Sequence, residues 1–289
     1  MKRHTRLTRV AAQLSRLVAL AALTLAALGV SQQATAGIAA TRHNLGSTNS
    51  VAGANHVGAG DTGEICVFCH TPHAADTTAP VPLWNKRLTT GATYTTYATL
   101  NSSTLDGEIL AVGSVSLACL SCHDGTQAMD NIINAPGSGG YDVTGGGSNG
   151  LGWTWAGTQV DATGKMINTA TSLAMLSPDL SNDHPVGVQY CGGGYNTTTA
   201  GPCKDSDFVA PSTATVNNNK VWWVDTSGGT LGTREKTDMI LYTRAFTGTN
   251  GTGPSVECAS CHDPHSSANP TFLRVSNVGS GVCLSCHVK

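Results

Sequence analysis

The pattern Cys-x-x-Cys-His occurs four times, as Cys66-Val-Phe-Cys69-His70, Cys119-Leu-Ser-Cys122-His123, Cys258-Ala-Ser-Cys261-His262 and Cys283-Leu-Ser-Cys286-His287. Nothing else restricts the fold as strongly, because these copies take up eight of the ten cysteines. Two thiols one helical turn apart, with an imidazole directly after them, match the attachment signal of c-type haem: the thiols add to the two vinyl groups, and the histidine is thereby set under the ring to bind iron. Paired C-x-x-C also serves thiolate zinc sites and redox dithiols. Zinc does not call for His after the second Cys in every copy, and a redox pair occurs once, near a βαβ pattern. The pattern therefore reads as four haem c per chain, with zinc and redox dithiols as the alternatives.

Composition fits a chain whose middle is filled by something other than side chains. Aromatic residues make up 5% and charged residues 12% of the 289 positions, and 34 are Gly. Typical domains carry about a quarter charged residues and about 7% Gly. A nucleic-acid binder is excluded by the lack of a basic face. Residues 1–16 hold Lys2, Arg3, Arg6, Arg9 and Arg16 with no acid, and Leu17 to Val30 are apolar but for Thr24 and Gly29, followed by Ala34-Thr35-Ala36. That is the layout of a cleaved secretory signal peptide, residues 1–36. The apolar run is short against the ~20 residues that span a bilayer, and no Cys precedes Cys66 to carry a lipid. Residues 37–289 then form an exported product with 11 Lys and Arg against 18 Asp and Glu, a net −7. No second long apolar run follows, so no membrane span is expected after processing.

The two remaining cysteines, Cys191 and Cys203, flank a Gly- and Thr-rich loop, and outside the cytoplasm they are expected to form a structural disulfide. Of ten histidines, nine lie beyond the leader, and four are the proximal ligands His70, His123, His262 and His287. His43, His56, His73, His184 and His265 remain, five candidates for four distal positions. His73 and His265 recur in one setting, Cys69-His70-Thr71-Pro72-His73 and Cys261-His262-Asp263-Pro264-His265. A residue three beyond the proximal His, across a rigid Pro, lies on the near side of that haem. If it is a ligand it serves another haem, which brings the two close together. His184 follows Asp183, a candidate acceptor for its ring N–H. His43 stands near the mature N-terminus, able to serve its own chain or a neighbouring molecule. Met129, Met166, Met175 and Met239 are read as packing residues.

The first and third motifs match as CxxCHxPH and the second and fourth as Cys-Leu-Ser-Cys-His, an internal duplication. The expected order is a first haem pair over about 37–135, a Gly-rich middle over about 136–250 and a second pair over about 251–289. Short helices are expected to begin at each motif, with a hairpin around Trp153 and Trp155, a strand at Lys220 to Val224, and a helix over Leu231 to Phe246. Otherwise few runs keep a helical or strand period. The fold class is a multihaem cytochrome c of low regular secondary structure, with short helices and loops wrapped around the haems.

Thr41-Arg42-His43-Asn44-Leu45, Glu64 to His73, Leu83-Trp-Asn85, Cys119 to Thr126, Asp183-His-Pro-Val186 and Val256 to His265 together resemble the exported multihaem c-type cytochromes with doubled CxxCH motifs. Among these they are similar to the tetrahaem, OmcE-type cytochromes that polymerise into extracellular filaments. The resemblance implies bis-His haems in a continuous four-haem stack and, in the filament members, one distal His supplied by the adjacent subunit. His43 is the candidate for that ligand in trans, with end-to-end self-association as the partnership and His56 as a spare. The functional reading is electron transfer, without catalysis, to redox partner proteins or an external acceptor, from the cell surface or outside the cell. A soluble periplasmic tetrahaem shuttle is the alternative. A multihaem reductase is disfavoured because histidines exceed the positions to be filled and no Lys, Arg and Tyr cluster adjoins a motif in sequence.

Overall fold

The computed structural model describes residues 37–289 other than 79, 89–92, 138, 171–172, 227 and 289. The expected leader, residues 1–36, lies outside the described residues. Among them, no helix is long and apolar enough to cross a membrane.

Helix is scarce and concentrated at the motifs. A 3₁₀ turn covers Cys66–Phe68, and three short helices follow: α1 (Ser114–His123), α2 (Cys258–Cys261) and α3 (Gly281–Cys286). Only the first and third motifs open their helical turn; α1 and α3 begin upstream and end on the second and fourth. Helix α2 starts at Cys258 because Glu257 and Ser260 form a reciprocal capping box around its first turn.

The C-terminal part contains more sheet than the sequence suggests. Strands β1 (His56–Val57) and β2 (Trp155–Ala156) form a two-stranded ladder. Strands β3 (Val188–Gln189), β4 (Ser212–Val216), β5 (Asn219–Val224), β6 (Met239–Ala245) and β7 (Thr252–Val256) form an antiparallel sheet in the order β3-β7-β6-β5-β4. The strand expected at 220–224 is present as β5. It is joined to β4 by Asn217 and Asn218, both at positive φ (48° and 63°), the backbone that a two-residue hairpin loop demands.

Two local expectations are overturned. The helix over Leu231 to Phe246 does not form: Leu231 is 86% exposed, and Met239–Ala245 is strand β6. Ile240 and Tyr242 suit a pleated surface, and a strand there is hydrogen-bonded on both sides, by β5 and β7. The segment before β6 is locked by Asp238, whose carboxylate accepts from the backbone N–H groups of Glu235 (2.6 Å) and Thr226 (3.1 Å). The hairpin around Trp153 and Trp155 is likewise absent. Trp155 instead pairs with Val57, about a hundred residues away in sequence.

Tyr190, Trp222, Val224, Met239 and Leu241 are all buried in the main core, against which Cys261 and Cys286 pack. Cys191, itself within this core, and Cys203, packed against it, are bonded, as expected. A second cluster joins Leu45, Val57, Phe68 and Met129, with Cys69 and Cys122 against it. A third joins Trp84, Leu88 and Ala118. Around these two smaller clusters the loops are closed by buried polar side chains. Asn85 donates from Nδ2 to Val67 O (2.6 Å) and Asn134 O (3.0 Å), and accepts at Oδ1 from Asn134 N–H (2.9 Å). Asn55 exchanges two bonds with the Gln159 backbone, both 3.0 Å. Buried backbone outside sheets and helices must find partners of this kind.

Candidate haem sites

The motifs lie against one another in sequence order. Burial pushes the Cys69 thiol up to about 12, with further upward pressure from Cys122 of the second motif. Cys119 shares a hydrogen bond with Cys258 of the third, which holds Cys119 above and Cys258 below the ordinary thiol range. Burial raises Cys286 to about 12, and Cys261 of the third motif is the next influence on it. Contact between the second and third motifs is fixed by a buried network. Ser116 Oγ donates to Glu257 Oε2 (2.6 Å) and accepts from Cys258 N–H (3.1 Å), while Arg244 pairs with Glu257 Oε1 at 2.7 Å and donates to Ala111 O at 2.9 Å. Gly113 lets Arg244 reach the start of α1, since a Cβ there would fall 2.7 Å from Arg244 Nη2.

Three proximal histidines are oriented the same way. His70 Nδ1–H donates to Pro82 O (2.8 Å), His123 to Ala174 O (2.7 Å) and His262 to Thr271 O (2.7 Å). A carbonyl only accepts, so Nδ1 carries the proton and Nε2 keeps its lone pair, the tautomer a metal ligand needs. His287 instead lies against Phe208, with centroids 4.3 Å apart.

Two of the distal candidates stand opposite proximal rings. His265 and His70 have centroids 6.1 Å apart with planes 17° from parallel, and His43 and His123 are 6.2 Å apart at 79°. With metal–imidazole bonds of about 2 Å and ring centres about 1.1 Å beyond each nitrogen, two imidazoles on opposite sides of one metal would have centroids about 6 Å apart whatever their rotation about the shared axis. His43 is held for this position: its Nδ1–H faces Pro264 O (3.3 Å), its ring stacks on Phe272 (4.2 Å), and burial brings its pKa down to about 4. The segment around it is anchored by buried Thr41, Asn44 and Leu45. His184 donates from Nδ1 to Pro185 O (3.0 Å), not to Asp183; its pKa is lowered by burial and then by His287. His56 donates to its neighbour's carbonyl, Val57 O (3.0 Å). His73 is exposed, and among the described residues no ring contact pairs it or His262 with another histidine, although His262 lies near enough to act on His43 and His123.

These residues fit haem. Trp84 Nε1 is buried without a hydrogen-bond partner, edge-on to His70 at 6.3 Å, and such an orphan donor suits a group that brings carboxylate acceptors. Val278, Leu284 and Val288 around the fourth motif are 88%, 50% and 56% exposed, apolar surface of the kind a macrocycle covers. Met129 and Met239 are core residues, as expected. The neighbours that sequence reading missed are Lys86, Glu257, Arg244, Tyr190 and Phe272. Lys86, Arg244 and Tyr190 reach a motif and Phe272 reaches His43 through tertiary folding that leaves no local signal, whereas the Glu257 capping box with Ser260 is a readable spacing.

A family model described as the doubled CXXCH motif matches residues 253–289. No curated protein matches the chain. The CXXCH motifs indicate covalently bound haem c, and their doubled arrangement suggests a haem-binding, electron-transferring cytochrome.

Proposed function

We propose that the chain is an exported carrier that passes electrons along four covalently bound haem c groups, each iron held between two histidines, and that copies join end to end into an extracellular filament. The observation that carries this reading is the pairing of rings at the spacing of two ligands on one metal, His70 with His265 and His43 with His123. When bound, haem supplies one-electron chemistry at its iron. Cys66, Cys69, Cys119, Cys122, Cys258, Cys261, Cys283 and Cys286 would attach the groups, and paired imidazoles would hold each iron. That leaves no open site for a substrate, so the protein is a carrier and not an enzyme.

His184 serves the position opposite His287, the ring that influences it. Among the described residues no histidine ring is paired with His262, and we assign His73, exposed on the first motif, to reach His262 of a second copy. The role in trans passes to His73 because His43 is committed to Pro264 and Phe272 inside its own chain. His56 stays the spare.

Electron microscopy of the haem-loaded protein tests this. Filaments are expected for the wild type, and for His73→Ala discrete particles with one high-spin haem per chain. Wild-type particles that stay discrete, with every haem low-spin, would overturn the polymer. They would favour a periplasmic shuttle whose acidic surface docks a basic partner, with rates that fall as salt rises.

A further inference from the structure

Lys86 is fully buried, at 0% exposure. Its Nζ lies 2.9 Å from Ala128 O, 3.2 Å from Met129 O and 3.5 Å from Asn131 O. Three carbonyls accept three N–H bonds, which only the charged ammonium can offer, since a neutral amine has two hydrogens. Among the described residues no carboxylate pairs with it. Asp130, on the same segment, gives its oxygens to Trp153 N–H (3.0 Å) and Trp155 Nε1–H (3.4 Å). A buried cation without a paired carboxylate is costly, and here three backbone carbonyls take the place of a counter-ion.

Its position suggests its use. Lys86 follows Asn85, whose backbone N–H donates to Cys69 O at 2.9 Å and whose side chain holds Val67 O, so the cation sits directly behind the first motif. Besides neighbouring thiols, Lys86 is the charged residue that acts on Cys69. The third motif also has a cation beside it, Arg274, whose Nε donates to Ala259 O (3.1 Å) and which acts on Cys261, but Arg274 is only half-buried and so more strongly screened by solvent than Lys86. The second and third share the Arg244–Glu257 pair, whose charges cancel, and the fourth faces Tyr190 and Phe208. Reduction removes one positive charge from an iron site, so a fixed cation in a poorly screened interior favours the reduced form there.

We propose that Lys86 is a positioning charge that sets the haem at Cys66, Cys69 and His70 to the highest reduction potential of the chain, making the N-terminal end its electron sink. The proposal rests on the haem reading above. With a sink at one end, successive sites differ in potential and electrons in a single chain collect at the first motif.

Lys86→Gln keeps two donors for the carbonyls and removes the charge, and Lys86→Met removes both. Spectroelectrochemical titration of the haem-loaded variants, with haem content checked by mass, is expected to move one haem to lower potential while the others stay within error. A uniform shift of all haems, or none, would overturn the proposal; wild-type protein without covalent haem would instead sink the reading beneath it. If neither variant loads haem, stepwise reduction of the wild type followed by NMR decides. The first haem reduced should be the one whose protons contact Trp84, and a different first haem contradicts the proposal.

Discussion

The two halves of the protein solve the burial problem differently. The C-terminal motifs rest on a sheet whose own side chains make a core: Trp222, Val224, Met239 and Leu241 are each at most 4% exposed, and Cys261 and Cys286 pack onto their cluster. The N-terminal motifs rest on loops. Around them Asn44, Asn55, Asn85, Lys86 and Asp130 are buried, and the apolar clusters are small. Buried polar groups are close to neutral in net stability when satisfied and costly when not. On the four-haem reading the first half would depend on its cofactors for apolar mass, whereas the second half carries its own.

The largest effect should come from stripping the first attachment site. With Cys66→Ala and Cys69→Ala together, amide exchange over residues 41–135 should rise to near-unfolded rates while strands β6 and β7 stay protected. Equal loss in both halves would erase the distinction. Removing core from the sheet should do the reverse: Trp222→Ala is expected to cost about 3–5 kcal/mol, read by denaturant unfolding with exchange localised to β5 and β6. Breaking the Cys191–Cys203 bond with paired Ser substitutions closes no space but frees a short loop, and about 3 kcal/mol should be lost at the sheet edge. Asn85→Ala leaves the carbonyls of Val67 and Asn134 unpaired, a cost of about 1–3 kcal/mol for a buried unsatisfied group. Its exchange signature should be confined to the first half, and appearance of that signature in β6 would show the halves to be coupled.

What could be read from the chain follows the same division. The motifs, the disulfide and strand β5 are local patterns, each specified within a dozen or so residues. The sheet was less legible. Met239 to Ala245 carries apolar residues that suit either period, and only pairing with β5 and β7 selects the strand. Trp155 pairs with Val57 across a separation that no window spans. The distal assignments were out of reach for the same reason: five histidines could be counted, but the opposition of His265 to His70 and of His43 to His123 depends on how distant loops fold together. His43 reads as an N-terminal arm residue, and only the anchoring of Thr41, Asn44 and Leu45 reveals that it faces inward.

The central claim is that every CxxCH motif carries a covalent haem. The intact mass of the protein under denaturing conditions tests it most directly. The expected result is the processed chain plus four haem masses, with a low-spin spectrum before denaturation. A mass lacking one or more haems, or a chain carrying zinc in their place, would contradict it.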